Sequence, residues 1–293
     1  MKRNIKNTNL TNIMETKKLK SGFEMPLLGI GTYTFGGEHD ADYSKDEEWI
    51  QAIKAALEVG YTHIDTAEVY GDGHSEELVA KAIEGGDRNK LFITTKVYHN
   101  HFKYEDVLKS ANASLKRLKI KYIDLYLLHS FDPNMPLKET MEAMNKLVEM
   151  GLVKNIGVCN FKPSQLKEAQ KYSKAKIVVN QMKFNLWANT GPDVDTFTYC
   201  QKNDIMITAY KLFGRDKIKY DKIPLLVEIG KKYNITDAQV IIAWVLSKKN
   251  FVAIFTSMDK NHLKEDMAAL RFKLNEDDIR LLDNELLMKR FNR

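Results

Sequence analysis

The amino-acid sequence predicts a single α/β domain, a (β/α)8 TIM barrel, and three observations carry that expectation. Short apolar runs rich in β-branched residues alternate with amphipathic stretches from Leu27 onward, there are eight such runs, and the glycine fingerprint of the rival doubly wound sheet is missing. Strands that alternate with helices pair in parallel through right-handed crossovers, and eight units close on themselves. A chain of 293 residues with 44% hydrophobic and 29% charged residues can bury the core of one such barrel.

The predicted strands are, in order, LLGIGTY (27–33), YTHID (61–65), LFITTK (91–96), YIDLYLLH (122–129), NIGVCN (155–160), IVVNQ (177–181), IMITAY (205–210) and FVAIF (251–255). Each is of strand length. Between them, Asp46–Val59 gathers Trp49, Ile53, Ala56 and Leu57 on one face, as a helix would. Ser75–Ile83, Leu108–Leu118, Thr140–Met150, Pro163–Lys171, Asp193–Lys202, Ala238–Leu246 and Asp278–Leu287 follow the same period. Pro163 and Pro192 stand near helix starts, where a missing N–H is harmless, and Gly60 and Gly151 stand where helices end. Ser21–Pro26 predicts a short N-terminal hairpin closing the barrel floor. Residues 1–15 are expected to form a flexible basic tail and residues 16–293 the barrel. The glycine pairs Gly29/Gly31 and Gly71/Gly73 lack a third glycine, and no GxxxxGK[ST] loop occurs. Phosphate cradling by a glycine-rich loop is therefore not expected.

Composition excludes several function classes. Of the formal charge of +6, +5 falls in residues 1–20, which reads as a solvated tail. No basic stripe interleaved with aromatics follows, so no nucleic-acid partner is expected. Two cysteines, Cys159 and Cys200, preclude a disulfide framework and fit a reducing compartment. No apolar run approaches the ~18 residues of a membrane span. The basic start has no apolar segment behind it, unlike a signal peptide, so the expected location is cytoplasmic. His99 and His101 form an HxH pair without further placed ligands, so no metal is expected. Nothing in the sequence specifies an oligomeric state.

The chemistry lies at strand ends. Side chains alternate along a strand, so Tyr61, His63 and Asp65 share one face, as do Phe92, Thr94 and Lys96, and Ile123, Leu125, Leu127 and His129. Three adjacent strands thus end with an ionisable group pointing inward at the end where barrels do chemistry. Tyr70 follows Asp65 closely enough to fold back over that mouth. A lysine inside a barrel needs a partner, and Asp65, one strand away, is the obvious one.

GYTHIDTAEVYG (60–71), ITTKV (93–97), DLYLLH (124–129) and GLVKNIGVCNF (151–161) resemble successive motifs of the aldo-keto reductase family, in the right order, over about Leu19 to Asp266. The resemblance implies a (β/α)8 barrel that reduces aldehydes and ketones with a nicotinamide cofactor. It implies a catalytic set of Tyr70, Asp65, Lys96 and His129, with Tyr70 as the general acid. It further implies cofactor contacts from Gly31, Thr32, Asp65, Cys159, Asn160, Gln181, Tyr210, Lys211, Leu212, Ser257, Glu265 and Asp266. Tyr210 would stack on the nicotinamide, and the amides of Asn160 and Gln181 would meet its carboxamide. Tyr33, Tyr98, His129 and Trp187 are the implied substrate contacts.

The pattern is broken in places. Cys159 replaces the usual serine beside Asn160. Asn185-Leu186 and Lys211-Leu212-Phe213-Gly214 depart from the family's usual loops. The lysine and arginine that hold the 2′-phosphate of NADP in the family are replaced by Thr256 and His262. NADP(H) is the expected cofactor, with NAD(H) admitted by those replacements. A nicotinamide-binding regulatory or interaction subunit with little or no turnover is the alternative to an enzyme. The loops predicted to meet substrate (34–44, 97–104, 130–136 and 184–192) and their borders carry Tyr33, Phe35, Tyr98, Phe102, Phe131 and Trp187, walls suited to a small carbonyl compound with an apolar part.

Overall fold

A computed structural model describes residues 14–186, 191–214 and 223–288. An antiparallel hairpin, β1 (Thr16–Lys18) with β2 (Glu24–Pro26), precedes the barrel. The barrel strands are β3 (Leu28–Gly31), β4 (His63–Asp65), β5 (Phe92–Val97), β6 (Ile123–Leu128), β7 (Val153–Cys159), β8 (Ile177–Lys183), β9 (Met206–Tyr210) and β10 (Phe251–Phe255). All pair in parallel with their sequence neighbours, and β10 closes onto β3. The expected barrel and its hairpin are both present.

The outer layer comprises α1 (Asp46–Val59), α2 (His74–Ile83), α3 (Tyr104–Leu118), α4 (Leu137–Glu149), α5 (Pro163–Tyr172), α6 (Gly191–Lys202), α7 (Pro224–Tyr233), α8 (Asp237–Ser247), α9 (Lys260–Ala268) and α10 (Glu276–Met288). α1 shows why the boundaries fall where they do. Asp46, Glu47 and Glu48 complement the positive end of the helix dipole, and Gly60 ends it in the left-handed conformation at φ 115°. Two helices have no counterpart in the sequence reading, α7 and α9. α9 buries only Leu263 and Asp266, too little for an apolar stripe, and Gly230 interrupts α7.

The core has two parts. Most buried apolar residues lie between barrel and helices. A second cluster fills the cylinder, where Leu125, Leu127, Val179, Met206 and Val252 meet Leu19, Phe23 and Met25 of the hairpin. The hairpin therefore plugs the lower end, as expected. Tyr61 is different. It precedes β4, and its hydroxyl donates to the Leu263 carbonyl at 3.2 Å, so its ring faces α9 and not the interior. Regular alternation begins only at His63, whose imidazole is buried inside and pulled down to about 4 by that burial.

Of the segment expected as a tail, residues 1–13 lie outside the described residues. Met14 is buried, and the Glu15 carbonyl accepts from Leu27 N–H, so barrel contacts begin by residue 14. Lys17 is no solvated charge either. Its ammonium donates to the carbonyls of Leu246 and Lys248 at 2.8 and 3.0 Å, satisfying the C-terminal end of α8, and burial pulls it down to about 8. Among the described residues no helix is long and apolar enough to cross a membrane.

Candidate active site

The strand register delivers the ionisable groups to one mouth. Gly31 pairs with Asp65, Asp65 with Thr94 and Lys96 with Leu127, while His129 N–H donates to the Val97 carbonyl just beyond β6. Asp65, Lys96 and His129 thus sit at the C-terminal edge of adjacent strands. Tyr70 arrives on a pinned loop: Thr66 N–H donates to Thr94 O and Glu68 N–H to Lys96 O. The next turn needs glycine. Gly71 has φ 55°, and a Cβ there would stand 2.0 Å from the Gly36 carbonyl oxygen.

The Lys96 side chain is completely buried, and its ammonium uses all three donors: Asp65 Oδ1 at 2.6 Å, the Thr66 carbonyl at 2.8 Å and the Tyr70 hydroxyl at 3.3 Å. The other Asp65 oxygen accepts from Gln181 Nε2 at 2.7 Å. The His129 ring stands edge-on to Tyr70 with centroids 5.5 Å apart, and its Nδ1 is buried with no hydrogen-bond partner among the described residues. Tyr33 meets Tyr70 at 5.3 Å and Tyr98 meets His129 at 5.9 Å, so aromatic edges frame the opening.

Burial sets the electrostatics. It pushes the Tyr70 phenol up to about 12, against the pull of Lys96. Lys96 by itself would favour the phenolate, but desolvation outweighs it in the free chain. Burial pulls Lys96 down, yet Asp65 and Tyr70 beside it outweigh that and hold it above its ordinary value. His129 is pulled down to about 3 by burial, with Lys96 and His99 acting in the same direction, so it is neutral near pH 7. Burial raises the Cys159 thiol far above its ordinary value, which leaves it unreactive.

One cavity of about 440 Å³ collects most of the residues the sequence singled out: Gly31, Tyr33, Asp65, Tyr70, Tyr98 and His129 on one side, and Cys159, Asn160, Gln181, Tyr210, Lys211 and Leu212 on the other. The Tyr210 hydroxyl donates to Asn160 Oδ1 at 3.1 Å. The Cys159 thiol reaches Gln181 Oε1 only at 3.9 Å, the weaker contact expected of sulfur in place of a hydroxyl. Thr32 is not in the lining; its hydroxyl lies 2.8 Å from Ser75 Oγ in the interior.

Ser257, Glu265 and Asp266 also lie outside that lining, on or before α9. The Ser257 hydroxyl accepts from Asp259 N–H, and Glu265 accepts from the Thr236 hydroxyl at 2.6 Å. Asp266 is buried, and that burial raises its carboxyl to about 7. Trp187 lies outside the described residues.

Among the other loop aromatics, Phe35 stacks on Trp49, Phe102 is buried, and Phe131 packs on Phe161, so these three support the loops. The cavity adds residues not singled out from the sequence as site residues: Glu38, His39, Val69, Phe213, Ile254 and Phe255. Loop positions have no alternation to reveal them; Ile254 shares the inward face of its strand with Val252, while Phe255, on the opposite face, reaches the cavity only at the strand's end. His101 Nδ1 pairs with Glu68 at 3.0 Å and His99 packs on Tyr98, and among the described residues no cluster of three metal-ligating side chains occurs.

The residues around Tyr210 fit a nicotinamide: an aromatic face, the Asn160 amide beside it with donors and acceptors, and an opening onto Tyr70 and His129. At the far end the fit is looser. Thr256 donates to the Gly31 carbonyl at 2.9 Å, Lys260 is paired with Glu58 at 2.5 Å, and Asp259 caps α9 by accepting from Asn261 N–H.

A parallel barrel whose C-terminal mouth joins a buried lysine–aspartate pair to a phenol and an imidazole gathers the donors that acid–base chemistry at a carbonyl oxygen needs. That defines a carbonyl reductase of the barrel class. The chain belongs to the aldo/keto reductase family, whose model matches residues 27–286. It is 33% identical over 263 residues to the methylglyoxal reductase YeaE of Escherichia coli strain K12, covering 88% of this chain and 90% of that protein. The crystal structure of the thermostable aldo-keto reductase Tm1743 with the inhibitor epalrestat superposes with a TM-score of 0.88 at 42% identity, covering 93% of this chain and 100% of that one. An aldo/keto reductase from Klebsiella pneumoniae in complex with NADP and acetate has a TM-score of 0.81 at 29% identity, covering 93% and 95%.

Proposed function

We propose that this chain reduces small aldehydes, α-oxoaldehydes foremost, to alcohols with NADPH, using Tyr70 as the acid. The observation that carries the reading is the Lys96 ammonium held between Asp65 Oδ1 and the Tyr70 hydroxyl at 2.6 and 3.3 Å, with His129 facing the same phenol. When bound, the reduced nicotinamide supplies the hydride. The chain's own residues manage the oxygen. Neutral His129 offers a ring N–H to the carbonyl oxygen and orients it. Tyr70 gives its phenolic proton to that oxygen as negative charge develops. Lys96 stabilises the phenolate that remains, Asp65 holds Lys96 in place, and solvent returns the proton. In the reverse direction the phenolate removes the alcohol proton.

NADP in a relative's crystal structure and a fitting nicotinamide site support NADPH. Without a lysine at 256 or an arginine at 262, the grip on the 2′-phosphate is weak, so NADH is used as well. The α-oxoaldehyde preference rests on the methylglyoxal reductase among the relatives and on the cavity's mixed polar and aromatic lining. The expected location is the cytoplasm. Oxidation of NADPH and of NADH, followed by absorbance with a panel from methylglyoxal to aromatic aldehydes, tests all of this. Cofactor binding by fluorescence without turnover of any aldehyde would leave the binding-subunit reading in its place.

A further inference from the structure

Glu68 lies in sequence between Asp65, the last residue of β4, and Tyr70 on the loop that follows, and it hydrogen-bonds to neither. Its side chain is only 7% exposed, and its Oε1 accepts two hydrogen bonds, from Tyr98 N–H at 2.7 Å and from His101 Nδ1 at 3.0 Å. Its own N–H donates to the Lys96 carbonyl at 3.3 Å, which fixes where the carboxylate emerges. A carboxylate so deeply placed is expensive, and the ionisable group paired with it, His101, is 45% exposed. What this carboxylate does is accept the first backbone N–H beyond the end of β5, where the ladder stops at Val97.

That N–H belongs to Tyr98. The residue is extended at φ −84°, ψ 154°, and the chain then turns tightly through His99–His101. With the backbone held there, the half-buried Tyr98 ring projects into the cavity and stands edge-on to His129 at 5.9 Å. Glu68 therefore ties the loop that carries Tyr70 to the loop that carries Tyr98, two walls of one opening. Hydrogen bonds from backbone N–H to a carboxylate are roughly twice as strong as neutral ones, which suits a joint across two otherwise separate loops.

We infer that Glu68 is a positioning residue that sets specificity: through the Tyr98 N–H it holds the Tyr98 ring against His129 and so shapes the subsite for the part of the substrate beyond the carbonyl. This rests on the proposed reductase reading, and two substrates separate the two claims. A short aldehyde such as propanal needs only Tyr70 and His129; an aromatic aldehyde such as benzaldehyde also needs the Tyr98 wall.

The experiment compares KM and kcat for both aldehydes in Glu68→Ala, Glu68→Gln and Tyr98→Ala, with cofactor affinity by fluorescence titration. Loss of one such positioning hydrogen bond is expected to raise KM for benzaldehyde about tenfold in Glu68→Ala, with kcat for propanal within about threefold of wild type. Glu68→Gln keeps an acceptor for the Tyr98 N–H and recovers most of the benzaldehyde KM. In the Tyr98→Ala background, adding Glu68→Gln or Glu68→Ala changes nothing further, which keeps the test decisive should Glu68→Ala alone fold poorly. An unchanged benzaldehyde KM in Glu68→Ala, an equal loss on both aldehydes, or an added effect on top of Tyr98→Ala would overturn the assignment. Absence of turnover of propanal, benzaldehyde and methylglyoxal alike by the wild-type chain would instead overturn the reductase reading.

Discussion

The Lys96 ammonium donates to the Tyr70 hydroxyl at 3.3 Å, and burial nonetheless outweighs that neighbouring charge and pushes the phenol up to about 12. In the proposed mechanism the acid is therefore loaded with its proton in the resting chain, and the lysine acts later, when the proton has left and a phenolate needs a counter-charge.

Tyr70→Phe removes the phenolic hydroxyl, and with it both the proton and the acceptor for the third Lys96 donor, while leaving the ring in the wall. Turnover of methylglyoxal should fall by at least about 100-fold, the lower end for a lost general acid, while cofactor affinity stays as in wild type. Stopped-flow or steady-state rates beside a fluorescence titration check it. Near-normal turnover would remove Tyr70 from the assigned role.

Burial, with Lys96 and His99, pulls His129 down to about 3, so the imidazole is neutral near pH 7. The kcat/KM for reduction should accordingly run level from about pH 6 to 9, with no limb near an ordinary histidine's value of about 6.5. A limb at that value which disappears in His129→Asn would contradict the neutral-imidazole role.

Lys96→Met leaves Asp65 buried without its cation, since Gln181 is then its remaining partner. Breaking a buried pair from one side costs about 3–5 kcal/mol. Urea unfolding should show a loss of that order together with a collapse of turnover. Lys96→Met combined with Asp65→Asn should recover stability without recovering activity.

Asp266 has a folded-state value raised to about 7 from an ordinary 3.8 by burial. The folded chain therefore binds this proton more tightly than the unfolded one. The stability it contributes is present below about pH 4 and lost as pH rises through about 7. Asp266→Asn mimics the protonated form, so its stabilising effect should be larger at pH 8 than at pH 5 by roughly 2–3 kcal/mol. Thermal unfolding at the two values measures it, and an equal effect at both would show that Asp266 ionises normally.

Much of this molecule could be read from local pattern. Eight apolar runs, their inward-facing ends at Asp65, Lys96 and His129, and the hairpin floor are consequences of period-two alternation and chain connectivity, which a linear string records. Tyr61 and Lys17 depart from local pattern because regular alternation starts only at His63 of β4 and because the C-terminal carbonyls of α8 draw in a charge that composition alone places in solvent. α9 escaped notice because a helix held by neighbours needs no stripe of its own.

Distance and desolvation are what folding added. The residue order already named an acid, an ammonium and an imidazole. Closing the cylinder put them in contact, took them out of water and thereby decided which of them carry protons at rest. The same closure let Glu68 reach the backbone of Tyr98, thirty positions along the chain. These are properties of three-dimensional proximity and local dielectric, and no spacing along a chain encodes either.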